Sequence, residues 1–222
     1  MRKILSGVMA AALCLSFSVS AFAASGYSST SSTPSVAQVE TQAETAINDA
    51  ISAGAAAAVV SFRNVTRLSA EAIQSVADKA AAADVASTIH VDKVVGGAVV
   101  NRWYIDPAKA GNLTGTLNLD VKVDSKSVAS TVNLFDRYFT NEISVVSLGQ
   151  QGSFGMDMSL AVKVDLQNLD TSKLVFYSYD KATNTFMQIP AAAYFIDVNG
   201  YLHFTTAVGG DILITDSVLT KK

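Results

Sequence analysis

Cysteine, tryptophan and histidine are nearly absent from this 222-residue chain, which contains one, one and two of them respectively. The single cysteine, Cys14, lies within a predicted signal peptide. The mature chain is therefore predicted to lack disulfides, thiol nucleophiles and thiolate metal sites. The two histidines, His90 and His203, lie far apart in the sequence, so a metal site would require the fold to unite them with carboxylates. We predict no metal and no cofactor.

Strong charge and long apolar runs are also missing. The chain has 16 Lys and Arg against 19 Asp and Glu, for a net charge of −3, and its basic residues form no cluster. This pattern excludes nucleic acid as a partner, because nucleic-acid-binding surfaces need basic stripes. Beyond the N-terminus no apolar run reaches the ~20 residues of a membrane span. We predict no membrane span after signal cleavage.

The N-terminus is typical of a secretory signal peptide covering residues 1–23. Arg2 and Lys3 provide a positive start, residues 4–19 are mostly apolar, and Ala21-Phe22-Ala23 has the small-x-small pattern of a cleavage site. We expect a secreted, extracellular chain that associates with a cell surface. Export without disulfides favours a bacterial source.

Helical patterns follow a Ser/Thr-rich linker at residues 24–35. Ser35 and Gln38 have the spacing of a capping box, which predicts a helix over 36–54 that stops at Gly54. Ser69 is a predicted N-cap for a second helix that ends near Asp84. The segment "VASTVNLFDRYFTN" is ambiguous, and we favour a helix there.

Strict alternation of apolar and polar residues predicts strands in "TLNLDVKVD" and "MDMSLAVKVDL". Further strands are expected on either side of Gly96-Gly97 and around the turn at 181–184. Alternation of this kind indicates antiparallel strands with one wet face. The predicted class is α+β, mainly β: an antiparallel β-sandwich preceded by two N-terminal helices. Residues 55–218 would form the sandwich-type domain, with one inserted helix.

The last hairpin, "YFIDVNGYLHF", allows its register to be predicted from the pattern. A three-residue loop with Gly200 in the left-handed conformation keeps one face apolar by pairing Ile196 with Leu202. The same register places His203 opposite Phe195 and Asp197 opposite Tyr201. We therefore interpret this stretch as the outer face of a hairpin rather than a catalytic dyad.

Two catalytic interpretations have weak support. Ser153 in "GQQGSFGMD" has Gln151 where a nucleophile elbow needs glycine, and no helix pattern follows. Carboxylates that alternate along strands could form a glycosidase pair, although their neighbours are lysines and small polar residues, as on a solvated face. These carboxylates are Asp120, Asp124, Asp157 and Asp165. We predict that the chain is not an enzyme.

Aromatic residues beside polar groups are the better binding candidates, because such rings stack on sugars or anchor protein partners. The candidate ligand-binding residues are Trp103, Tyr177, Tyr179, Tyr201 and His203. The alternative, which we favour, is that these rings cover a second layer of the fold.

Four segments in order, "GSFGMDMSLAVKVDL", "LVFYSYDKATNTFMQI", "AYFIDVNGYLHFTT" and "GGDILITD", resemble β-sandwich modules of secreted surface proteins from anaerobic Gram-positive bacteria. The resemblance covers roughly residues 55–216. It implies a non-catalytic module whose closing strand is structural. The expected function is binding or assembly at the bacterial cell surface, with a surface protein or polysaccharide as partner. The alternative is a carbohydrate-binding or carbohydrate-active protein that uses exposed aromatics.

Overall fold

The computed structural model describes residues 32–190 and 193–222. The predicted signal peptide and residues 24–31 of the predicted linker lie outside these ranges. The last part of the linker is held by backbone contacts, because the carbonyl of Ser32 accepts hydrogen bonds from the N–H groups of Thr66 and Arg67.

Helices form where the caps and the apolar spacing predicted them. The described residues contain three α-helices and one 3₁₀-helix: α1 (Val36–Ser52), α2 (Ala70–Ala82), α3 (Ser125–Tyr138) and the 3₁₀-helix Pro107–Asn112. Ser35 and Gln38 form the reciprocal capping box at the start of α1. Ser69 caps α2, and the Asp124 carboxylate caps α3 by accepting from the N–H of Ser127.

Thirteen strands occur in the described residues and belong to three sheets. In chain order they are β1 (Ala57–Arg63), β2 (Arg67–Ser69), β3 (Ala86–Val95), β4 (Ala98–Ile105), β5 (Thr116–Asn118), β6 (Val121–Lys122), β7 (Ser144–Leu148), β8 (Ser153–Val162), β9 (Val175–Asp180), β10 (Thr185–Gln188), β11 (Tyr194–Ile196), β12 (Leu202–Val208) and β13 (Asp211–Thr215).

The largest sheet has six strands in the order β1-β3-β4-β8-β12-β11. Its β1–β3 pair is parallel, so the expectation of a wholly antiparallel sheet is wrong at this edge. The reason is that α2 lies between these strands and carries the chain back to the same end of the sheet, as a parallel pair requires. The second helix thus follows two strands rather than preceding all of them.

A five-stranded sheet, in the order β10-β9-β13-β7-β6, has apolar side chains on both faces. One face contributes Phe176, Ile212 and Ile214 to the main buried cluster, which also contains Leu160 and residues of the six-stranded sheet, α1 and α2. The other face packs against α3 in a second cluster that includes Phe135 and Leu213. The fold is a β-rich member of the α+β class.

The strand predicted over 116–124 is broken in the structure. The side-chain oxygen of Asn118 accepts from the N–H of Asp120, a local bond that turns the chain. The carbonyl of Leu119 accepts from Trp103 Nε1 at 2.8 Å, and its N–H donates to Thr66. The segment therefore divides into β5 and β6, which belong to different sheets. The other long alternating strand also ends early, at Val162.

The last hairpin has the register that the pattern predicted. Ile196 pairs with Leu202 and Phe195 with His203, and Gly200 is left-handed with φ 77°. The chain then passes through Gly209, whose N–H donates to the carbonyl of Gly152. A Cβ atom at Gly209 would lie 2.2 Å from the carbonyl oxygen of Gln150. The close approach of two backbone segments therefore requires glycine here.

Replacing Gly209 with alanine should destabilise the fold by about 2–3 kcal/mol, because the obstructing atom belongs to the backbone and cannot move aside cheaply. Urea unfolding followed by the fluorescence of Trp103 measures the change. Gly111→Ala is the matched control, since Gly111 has open space around its Cβ position and no positive φ. A Gly209→Ala variant as stable as the control would contradict the proposed clash.

Candidate functional site

The outer face of the six-stranded sheet, opposite the main cluster, carries a group of charged and ring side chains. One cross-strand row passes through all six strands in register. We call it the outer row, and it consists of Arg63, Asp92, Arg102, Ala161, His203 and Phe195. A neighbouring row places His90 beside Tyr104, and Tyr104 beside Ser159. Alternation along each strand produces both rows, since every second residue points outward.

A two-point ion pair orders the middle of the outer row. Arg102 donates from Nε to Asp92 Oδ1 at 2.5 Å and from Nη2 to Oδ2 at 2.8 Å. Both side chains are largely buried, with 17% and 11% of their surface exposed. The hydrogen bonds to Asp92 raise the pKa of Arg102 above its ordinary value. This paired geometry fixes the guanidinium plane and the ring of Tyr104 beside it.

His90 is held neutral beside this ion pair. Burial, followed by the positive charge of Arg102, lowers its pKa to about 4, and the carboxylate of Asp92 opposes the shift only in part. Its buried Nδ1 has no hydrogen-bond partner among the described residues. The ring of Tyr104 meets it edge to face, with 4.8 Å between centroids. Burial also raises the pKa of Tyr104.

His203 links the ring of Phe195 to the carboxylate of Asp197. The His203 and Phe195 rings are stacked, with centroids 4.2 Å apart and planes 10° apart. Nε2 of His203 lies 3.2 Å from Asp197 Oδ2. Burial opposes the charged form of Asp197, but the N–H of Tyr201 and the ring of His203 outweigh it and lower the pKa of this carboxyl. The predicted register is thus compatible with a His–Asp contact that we did not expect.

The two histidines, far apart in sequence, come to the same face. Tyr104 lies between them, with its ring centroid 4.8 Å from His90 and 6.2 Å from His203. Phe195 is 53% exposed and presents the open aromatic surface of the group. Phe195 therefore offers a flat ring. The polar groups around it are already oriented by their own contacts.

The structure separates the predicted binding residues. Trp103 is 1% exposed and belongs to the main cluster, while Tyr177 and Tyr179, each 6% exposed, lie beneath α3. The interpretation of these three rings as exposed is wrong, and the alternative that we favoured, that the rings cover a second layer of the fold, holds for Tyr177 and Tyr179. Tyr201 and His203 lie on the outer face. The Tyr201 hydroxyl donates to the carbonyl of Val99, and Lys163 Nζ lies 4.9 Å from its ring centroid.

Asp92, Arg102 and Tyr104 also belong to this group and were not predicted from the sequence. The signal in the sequence was the alternation of side chains in "TIHVDK" and "NRWYID". It places each of these residues on the other face of its strand from an apolar neighbour in the chain. Alternation gives the face of a side chain, but it does not give the order of strands in a sheet. Strand order is what brings these three residues to His203.

Three of the residues considered for hydrolysis have structural contacts. The Ser153 hydroxyl accepts from the N–H of Gly155, and Asp124 caps α3. The carboxylate of Asp165 accepts from the N–H of Gln167 in a loop.

Among residues 32–190 and 193–222, no three histidine, cysteine or acidic side chains form a group that could hold a metal ion.

Comparison with protein-family models and with curated proteins finds no match to the chain. None of the helices in the described part of the chain is both long and apolar enough to cross a membrane.

The shifted pKa of His90 predicts a loss of stability in acid. The unfolded chain binds a proton at His90 near pH 6.5 and the folded chain only near pH 4, so the unfolded state gains protons first as the pH falls. The free energy of unfolding should have its full value above pH 6.5 and should fall by roughly 3 kcal/mol toward pH 4. Urea unfolding across this window measures the loss, and the NMR titration of the His90 ring gives its midpoint.

His90→Gln is the control variant, since it keeps a polar side chain but removes the titration. Its stability should vary less between pH 6.5 and pH 4 than that of the unchanged chain. A His90 midpoint near the ordinary value of 6.5 would contradict the burial of this ring.

Proposed function

We propose that this chain is a secreted, non-catalytic module that binds at the bacterial cell surface through the outer face of its six-stranded sheet. The proposal rests on the half-exposed ring of Phe195. This ring stacks on the ring of His203, which is hydrogen-bonded to Asp197. Binding surfaces use rigid aromatic groups in this way, because little side-chain freedom is lost when a ligand covers them.

The contacts of the polar groups favour binding over catalysis. Asp92 is engaged by Arg102 at both oxygens, and Asp197 accepts from the N–H groups of Asn199 and Tyr201. Carboxylates held in this way position their neighbours. Export to the bacterial surface is supported by the N-terminal residues Arg2 to Ala23 and by the resemblance to surface modules.

A carbohydrate ligand is the second candidate, and the geometry of Phe195 favours it specifically. A sugar ring stacks on an open aromatic face, and its hydroxyls bond to polar groups around that face. The polar side chains on the outer face include Ser159 and Thr205, whose hydroxyls lie 2.9 Å apart. In this interpretation Phe195 and Tyr201 provide the rings.

The domain architecture that we propose for the module is a β-sandwich formed by the two larger sheets. Phe176 of β9 stacks on Phe204 of β12 with 5.3 Å between centroids, which joins the five-stranded to the six-stranded sheet. The shared apolar cluster supports the same arrangement.

Phe195→Ala should reduce binding of the mature chain to cell-envelope fragments of the source bacterium by at least about tenfold, because it removes the exposed ring. Co-sedimentation with the fragments measures the bound fraction. Tyr138→Ala is the matched control, since Tyr138 is a comparably exposed ring, at 55%, on α3. A folded, unchanged chain that does not bind the fragments would contradict the proposal.

Treatment of the fragments separates the two candidate ligands. Binding that survives protease digestion and is inhibited by soluble polysaccharide from the same envelope indicates a sugar ligand. Binding that protease removes indicates a protein partner and excludes the carbohydrate interpretation.

A further inference from the structure

A groove lies at the β6 edge of the five-stranded sheet. The outer row, by contrast, lies on the six-stranded sheet. Its cavity volume is about 500 Å³. One wall is α3, through Val128 and Val132, and the other is the loop after β8, through Val164 and Leu169. Residues 142–145, which lead into β7 and form its start, lie between the two walls.

The groove exists because β6 is too short to cover β7. Val121 pairs with Leu148 and Lys122 with Ser147, and the chain then leaves the sheet to cap α3 at Asp124. The first half of β7 therefore pairs with β13 alone. The groove occupies the place where the next strand of the sheet would lie.

The backbone of Val145 faces this space. The N–H of Leu148 donates to Gly210 next to β13, whereas the N–H of Gly149 donates to Asp120 beside β6. Alternation along the strand then directs the N–H and C=O of Val145 to the β6 side, beyond the end of β6. Among the described residues neither group has a partner, although Val145 is only 4% exposed. Buried backbone groups without partners are rare and costly.

We propose that the groove is an acceptor site for an extended peptide segment of a partner protein, which adds as a strand to the free edge of β7. A main-chain donor and acceptor facing an apolar slot are what strand addition requires. The residue opposite Val145 would point toward Val128 and Val132, because directly opposed side chains share a face. The residues on either side of it would point toward Val164 and Leu169, so the segment needs consecutive apolar side chains.

The charge of the rim identifies the flanking residues of the segment. Glu142 and Asp165 line the groove, and both residues are exposed. A lysine or arginine next to the apolar residues would complement these carboxylates and raise the association rate. The occupant is therefore a basic-flanked apolar strand, which is chemically distinct from a sugar at Phe195.

The probe for this site is a fluorescein-labelled peptide, Lys-Val-Val-Val-Lys, with blocked ends, and the measurement is fluorescence anisotropy on the mature chain. Methylation of the central amide nitrogen removes the donor for the Val145 carbonyl and should weaken binding at least about tenfold. Binding of the unmethylated peptide should also slow hydrogen exchange at the Val145 amide.

Two variants of the chain complete the test. Ala129→Phe places a ring in the groove and should weaken binding of the peptide at least about tenfold. Ala37→Phe, on the exposed face of α1, should leave binding of the peptide unchanged. Equal binding of the methylated and unmethylated peptides, or no binding at about 1 mM peptide, would overturn the proposal. Phe195→Ala should leave peptide binding unchanged, so failure here is distinguishable from failure of the proposed cell-surface function.

Discussion

The packing of the five-stranded sheet against α3 depends on the buried carboxylate of Asp211. It is 1% exposed at the start of β13 and accepts hydrogen bonds from Thr131 of α3 and Ser147 of β7. Lys181, from the turn after β9, lies 3.0 Å away. A buried carboxylate without partners costs several kcal/mol. The contacts of α3, β7 and the turn with this carboxylate therefore fix where these elements pack on β13.

The position of α3 decides what each sheet can present to its surroundings. Because α3 covers the second face of the five-stranded sheet, that sheet has apolar residues on both faces, such as Leu213 and Ile214. None of the helices in the described part of the chain lies over the outer face of the six-stranded sheet, where an ion pair and stacked rings order the side chains. The helix α3 also forms a wall of the groove beside β7.

Features set by neighbouring residues could be predicted from the sequence. The capping box of Ser35 and the register at Gly200 each depend on a few adjacent residues, and both are confirmed. Contacts between distant segments could not be predicted. The bond from Trp103 to Leu119 interrupts a pattern that reads as one continuous strand, and the outer row depends on β4 and β12 both pairing with β8. The free backbone of Val145 follows from where β6 ends, which alternation alone does not reveal.

The strand order has a consequence for how the five-stranded sheet forms. β13 comes after the other four strands in the sequence, yet it lies between β9 and β7 in the sheet. The sheet therefore cannot be completed until residues 211–215 have joined it. Until then the edges of β7 and β9 are open to pairing with other chains. Residues 211–215 act as a completion check, because without them β7 and β9 are not joined and the centre of the sheet is missing.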